Sequence, residues 1–349
     1  MIPAQLKIDC LQAKESGMLC RDIYEQIFIP GMQGEPICKF DAFARTMRKW
    51  RRKNAPQLTL DAGTYPGFTA HGATVQVDAA GNVMQAWVKQ HADVDWEAIS
   101  SMLAEGIEPL KITPSALTGE SMLEIPLFDM HFGIAKNYFQ QMSELLGIVT
   151  EKQYDEINIL FGQDMLHTND MRGHTAKGTE IDEIDFREAW KDAWQFWETV
   201  LTACVEHSPR VKVWYSKGNH DECSAWCLLK ALQARFPMCE WDDTIKPRKF
   251  LLWQGCFVGF GHCEYTNQSG KIFQNFVTEF TYPFAAAKVR EIHTGHLHRE
   301  SIDEGIMVRR LSTATPTTGW ESNNGLTGSH KRFQLFEWMP GRLKAIYYI

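Results

Sequence analysis

The stretch INILFGQDMLH (157–167) changes character halfway along. Its first five residues are apolar except for Asn158, a run of the length and texture of a buried strand. Gly162 then breaks the run, and Asp164 and His167 follow three positions apart. A strand that ends in glycine and delivers a carboxylate and an imidazole decides the fold if the chain repeats it. The chain does so. EIPLF (124–128) is followed by DMHFG, with Asp129 and His131, and VKVWYS (211–216) by a lysine and GNHDE, with Asn219, His220 and Asp221. CFVGF (256–260) leads into GH, with His262, and EIHT (291–294) leads into GHLH (295–298), with His296 and His298. Side chains at the carboxyl ends of α/β strands converge on one crevice.

Each motif alone has a bland explanation. A lone His-x-His on a strand end pairs with its neighbours, and His293, directly before TGH, reads as a strand residue. The five together, each behind a strand, read as one site. Carboxylates, imidazoles and one amide oxygen suit borderline-hard divalent ions such as Mn²⁺, Fe²⁺ or Zn²⁺. No thiolate takes part, which argues against a structural zinc. One carboxylate can bridge two ions about 3.5–4 Å apart, and such a pair clamps both oxygens of a phosphoryl displacement.

Composition sets the frame. The 349 residues are 44% hydrophobic and 23% charged, as expected of a globular chain long enough for two domains. No apolar run reaches the ~18–20 residues of a membrane span. The first residues lack the apolar core of a signal peptide. Nine cysteines at irregular spacing, without a CxxC pair, indicate neither a disulfide framework nor a zinc knuckle, and reduced thiols point to a cytoplasm. The net charge of −7 is unevenly spread. Residues 1–55 hold 10 Lys/Arg against 6 Asp/Glu, whereas the rest holds 26 against 37. Six of the ten fall in RTMRKWRRK: Arg45, Arg48, Lys49, Arg51, Arg52 and Lys53. A local basic cluster on an acidic chain is a nucleic-acid signal; its rival is a solvated helix face.

Along the chain, AQLKIDCLQAKESG predicts a helix with Leu6, Cys10 and Leu11 inside, ending at Gly17. LCRDIYEQIF repeats that spacing through Ile23 and Ile27, and the Pro- and Gly-rich IPGMQGEPICKF should end it. Asp41 is placed to cap a basic helix over 42–53, so 1–55 resembles a helix-turn-helix module. Residues 56–121 read as a connector with a hairpin around Gly81-Asn82, a short helix ending at Gly106, and a boundary loop at 112–121. From 122 to 349 strands and helices alternate, giving a mixed α/β layered domain. In FREAWKDAWQFWETVLTAC, Trp190, Trp194, Trp197, Leu201 and Cys204 share one helix face, a core stripe and not a base-stacking platform.

The order DxH…D…GNH(D)…GH…GHxH resembles the calcineurin-like metallophosphoesterase superfamily over about residues 122–315. The resemblance implies an α/β fold with a double β-sandwich flanked by helices and a dinuclear site. Asp129, His131 and His298 would hold the first ion and Asn219, His262 and His296 the second, with Asp164 bridging. His220 would face the phosphate and Asp221 would orient it. The family places Gly directly before the bridging Asp; here Gln163 intervenes after Gly162, which implies an altered turn. GQDMLH, with His167 three positions after Asp164, resembles the SbcD-like DNA-repair exonucleases, and TNDMRGHTAKGTE is similar to a loop of phage-encoded members.

These readings together predict a phosphodiesterase with two divalent ions, Mn²⁺ first and Fe²⁺, Zn²⁺ or Mg²⁺ behind it. It would cut nucleic acid, DNA before RNA, with His220, His167 and Asp221 in the chemistry. The expected compartment is the cytoplasm, that of a bacterial host for a phage protein, with no membrane partner. A homodimer and an ATPase partner belong to the SbcD resemblance. The alternatives are a phosphatase or cyclic-nucleotide phosphodiesterase on small substrates, and a DNA-binding protein with a vestigial site.

Overall fold

The computed structural model describes residues 4–32, 39–54, 68–77, 83–92, 96–135, 138–181, 184–266, 268–303, 307–317, 319–323, 325 and 327–349. The chain divides into two compact units, Met1–Val94 and Asp95–Ile349.

In the first unit α1 (Ala4–Glu15) carries Leu6, Cys10 and Leu11 into a core shared with Ile23, Phe28, Phe43 and Met47. α2 (Cys20–Ile23) runs into a π-helical turn, Tyr24–Phe28, and on into α3 (Ile29–Gly31). The helix therefore continues past Pro30, contrary to the sequence reading. The i→i−5 bond from Ile29 N to Tyr24 O shifts the ladder just ahead of the residue that lacks an N–H. The shift also buries Phe28 fully, while Ile27 is half-buried. α4 (Phe40–Asn54) starts before Asp41, which lies inside the first turn and complements the helix dipole there instead of capping it. Strands β1 (Phe68–Val77) and β2 (Val83–Ala92) form an antiparallel hairpin with Val77 opposite Val83; its turn at 78–82 lies outside the described residues.

The second unit opens with α5 (Trp96–Glu105), β3 (Met122–Ile125), α6 (Phe139–Thr150), β4 (Glu156–Gly162), α7 (Phe186–His207), β5 (Val211–Ser216), α8 (Glu222–Arg235) and β6 (Glu240–Asp242). The hairpin β7 (Lys249–Trp253) and β8 (Cys256–Phe260), helices α9 (Ser269–Glu279) and α10 (Thr281–Ala286), and β9 (Val289–Thr294) follow. β10 (Ser301–Asp303), β11 (Val308–Arg310), α11 (Gly319–Asn323), β12 (Gln334–Met339) and β13 (Arg342–Tyr348) complete it. The loop at 112–121 lies inside this unit. Ser115 N donates to Val205 O at 2.9 Å and Leu110 N to Arg235 O at 2.8 Å, and Leu110 and Ile112 pack on the core.

The strands form two mixed sheets, β13-β12-β3-β4-β5-β6 and β10-β11-β9-β8-β7. β3, β4, β5 and β6 run parallel, as do β8, β9 and β11. Phe128, Leu160, Trp253, Val258, Phe260, Phe336 and Trp338 fill the space between the sheets. The outer face of the six-stranded sheet is covered by α6, α7 and α8, where Trp197, Leu201 and Cys204 are buried as their spacing requires and Trp190 and Trp194 are half-buried against them. Phe257 and Ile292 of the other sheet pack on Ile272 and Phe276 of α9. The mixed α/β sandwich flanked by helices is thus the observed fold. β3 ends at Ile125 and not at Phe128, because Pro126 has no N–H to continue the ladder.

His293 bonds across the sandwich. Its Nδ1 lies 2.7 Å from Glu124 Oε1 on β3 and its Nε2 lies 3.1 Å from Glu291 Oε2, which Arg309 also contacts. Among the described residues no helix is long and apolar enough to cross a membrane.

Candidate metal centre

Parallel strands bring like ends together, so Asp129, Asp164 and Asn219 leave one sheet where His262 and His296 leave the other. All seven ligand candidates and His167, His220 and Asp221 meet at that edge. Three groups have ligand atoms within 4.8 Å of one another: Asp129, His131 and His298; Asp164, His262 and His296; and His131, His167 and His220. Asn219 joins the second through its Oδ1, 2.8 Å from His262 Nε2.

The backbone is bent hard to achieve this. Asp129, His131, Gln163, Asp164, His296 and His298 all have positive φ, between 46° and 74°. Left-handed backbone is costly for residues with a Cβ and clusters where function imposes it. Two glycines explain the Gly-flanked pattern. A Cβ on Gly218 would lie 2.0 Å from Asp164 Oδ1, and one on Gly295 would lie 2.6 Å from Asp129 Oδ2. Gln163, the departure from the family pattern, is fully buried and holds the loops in register. Its Nε2 donates to Ser216 Oγ at 2.9 Å, and its Oε1 accepts from Gly295 N at 3.1 Å. Asp129 Oδ2 accepts from His296 N at 2.8 Å, and Thr313 and Thr315 hydroxyls donate to Asp129 O.

The electrostatics follow from burial and pairing. His262 Nε2 is 3.1 Å from Asp164 Oδ2; burial disfavours its charge, but Asp164 outweighs burial and lifts the imidazole to about 9. The same contact holds Asp164 well below the usual carboxylate range against the cost of burial. His298 rises to about 10, as Asp129 and Glu321 overcome burial. His131 is pushed well below the imidazole range by burial and by the rings of His220 and His298, and His296 is lowered by burial and His262. His298 Nε2 and His131 Nε2 lie 3.1 Å apart.

Two buried atoms of these ligand groups are left over. His298 Nε2 and His262 Nδ1 stand 3.6 and 3.9 Å from Asp129 Oδ1, too far for hydrogen bonds. Among the described residues no donor reaches Asp129 Oδ1, and His262 Nδ1 is likewise unbonded. Orphaned buried acceptors facing an imidazole nitrogen across such a gap are what a cation would satisfy. The donor set, two carboxylates, four imidazoles and an amide oxygen, fits divalent ions.

His220 N donates to Asp164 Oδ1 at 2.7 Å, and its ring Nδ1 lies 2.9 Å from His167 O. A carbonyl only accepts, so Nδ1 carries the proton and Nε2 is the exchangeable nitrogen. The group that orients His220 is thus the His167 carbonyl and not Asp221, whose Oδ2 accepts from Leu166 N at 2.8 Å. Burial and the Asp164 charge push the Asp221 carboxyl well above its ordinary range. His167 Nδ1 lies 3.3 Å from His131 Nδ1. In the loop after it, Asn169 Oδ1 accepts from Cys223 N at 2.7 Å in the first turn of α8, and Asp170 pairs with His174. Sequence reasoning missed Glu321, Thr313 and Thr315, none of which lies in a recognisable motif, and it read Gln163 only as an altered turn, not as the amide that joins the two loops. Arg45 is exposed on α4, while the side chains of Arg48, Lys49, Arg51, Arg52 and Lys53 lie outside the described residues.

No family model and no curated protein matches the chain. Solved structures with some likeness include Vps29 from Chaetomium thermophilum, at 11% identity over 66% of this chain and 97% of that one, TM-score 0.34. Zinc-complexed Vps29 from Entamoeba histolytica gives 11% identity, 66% and 98% coverage and a TM-score of 0.31. A conserved uncharacterized protein from Streptococcus pneumoniae, a predicted phosphoesterase, gives 12%, 66%, 88% and 0.29. Scores of that size carry no argument, and the centre stands on its own geometry.

Proposed function

We propose that this protein is a dinuclear metal-dependent phosphodiesterase of the calcineurin-like kind, acting on nucleic acid and on DNA before RNA. The observation that carries the reading is the buried Oδ1 of Asp129, without a donor among the described residues, between His298 and His262, with a second His/Asp group around Asp164 beside it. Asp129, His131 and His298 would hold one ion and Asn219, His262 and His296 the other. Asp164 would serve both, since each carboxylate oxygen has two lone pairs and Oδ1 spends one on His220 N. When bound, such a pair supplies charge to the equatorial phosphoryl oxygens and activates water.

The chain's own groups supply the rest. His220, held by His167 O, presents Nε2 to the leaving oxygen and in its imidazolium form can give it the Nε2 proton, returning to the neutral Nδ1–H ring. His167, buried and packed against His131 and His220, backs the His220 imidazole that a phosphodiester would meet, and the resemblance of GQDMLH to the SbcD-like element favours a nuclease over a plain phosphatase. The basic helix α4 would add sequence-independent phosphate contacts.

The test is incubation of protein loaded with Mn²⁺, Zn²⁺, Fe²⁺ or Mg²⁺ with labelled single- and double-stranded DNA, RNA and bis(p-nitrophenyl) phosphate. Cleavage of polymer that EDTA abolishes supports the reading. Turnover of the small ester alone moves it to the small-substrate alternative, and inertness with every metal removes it.

A further inference from the structure

A cleft opens from His262 and is walled by Lys217, Arg248, Glu264 and Tyr265. Tyr265, three residues beyond His262, is 76% exposed, unusual for so large a ring beside a site. Lys177, from the loop after β4, lies with its Nζ 4.2 Å from the ring centroid and so ties this side chain to a loop of the other sheet. The two cations of the cleft and Lys177 over the ring each have a carboxylate partner: Lys217 with Glu222 at 3.2 Å, Arg248 with Glu279 at 2.6 Å and Lys177 with Glu264 at 3.7 Å. No cation of these three is left over to hold a second phosphate. The side chain of Glu264 is only 10% exposed, and its Oε2 is buried without a hydrogen-bond partner among the described residues. An acceptor left so is costly unless a ligand donates to it.

We infer that this cleft is a nucleobase subsite: one arm of the substrate carries a planar base that stacks on Tyr265 and donates an amino or imino N–H to Glu264 Oε2. The inference rests on the phosphodiesterase reading and narrows it to substrates with a base next to the cut. An aromatic face accepts any base, and the loss of one stacking contact weakens binding by a factor of about ten.

The experiment titrates full-length protein carrying His220→Ala, to hold back turnover, with a 2-aminopurine dinucleotide and with its abasic counterpart. The readouts are fluorescence quenching by stacking and competition. The base-bearing ligand is expected to bind about tenfold more tightly and to be quenched. Adding Tyr265→Ala should bring the affinity ratio to about one and remove the quenching, Tyr265→Phe should keep both, and Glu264→Gln should lower the ratio. Equal binding of the two ligands, or a preference that survives Tyr265→Ala, overturns the inference; the abasic ligand retains the sugar hydroxyls and so also excludes ribose as the donor. If protein with native His220 hydrolyses no dinucleotide with any metal while base-dependent quenching persists, the phosphodiesterase reading falls and the subsite stands.

Discussion

The Nδ1 of His298 lies 3.2 Å from Oε1 of Glu321, a carboxylate with no exposure to solvent that also receives Lys331 Nζ at 2.9 Å. A carboxylate on the far nitrogen of a ligating imidazole fixes its tautomer and points the other nitrogen inward. Glu321→Gln should therefore lower the affinity for one of two ions about 10–100-fold, with the fold unchanged by circular dichroism. Calorimetric metal titration showing two undisturbed sites would remove Glu321 from the centre.

Asp164→Asn should be the most damaging single change. It removes the charge that faces His262 and weakens the acceptor that holds His220 N. Elemental analysis after dialysis is expected to find less than one ion per chain, against two in the unmodified protein.

His220→Ala separates chemistry from metal retention. His220 shares a group with His131 and His167 but lies outside the two groups that contain carboxylates. Turnover should drop about 10²–10⁴-fold while metal content holds. Parallel loss of metal would make His220 a ligand.

His293 gives a pH prediction away from the centre. Burial disfavours its charge, but Glu124 and Glu291 raise it to about 9, so it is protonated in the folded protein at neutral pH. A raised folded value stabilises fully below the unfolded value of ~6.5 and is lost as pH rises through about 9. Denaturant titrations between pH 6 and 10 should show stability declining across that window. His293→Phe should flatten the decline. An identical slope in both proteins would mean that the ring is neutral.

The basic stretch at 45–53 is tested by replacing Arg45, Arg48, Lys49, Arg51, Arg52 and Lys53 with glutamine. Each lost phosphate contact should reduce the log–log salt slope of DNA binding by about one. Hydrolysis of bis(p-nitrophenyl) phosphate should be retained. An unchanged slope would make this stretch a solvated face.

The strand ends were readable because a buried strand needs a short apolar run and glycine marks where it stops. Gly218 and Gly295 are required by the approach of Asp164 and Asp129, so the pattern in the chain and the packing at the site have one cause. The helical continuation through Pro30 was not readable, because a π-turn depends on how Phe28 packs against Phe43. Nor was the role of Gln163, whose amide serves Ser216 and Gly295 from two different sheets.

Residue type and order along the chain thus determined the layered α/β class and the candidate donors, since strand periodicity and metal-ligand chemistry are local properties. The tertiary structure alone decided which side chains orient those donors. Glu321 lies 23 residues from His298 and His167 lies 53 from His220, and neither pairing has a periodicity that a linear pattern can show. The same holds for Tyr265 and Lys177, which meet because the parallel strands of two sheets end at one edge and their loops have nowhere else to go.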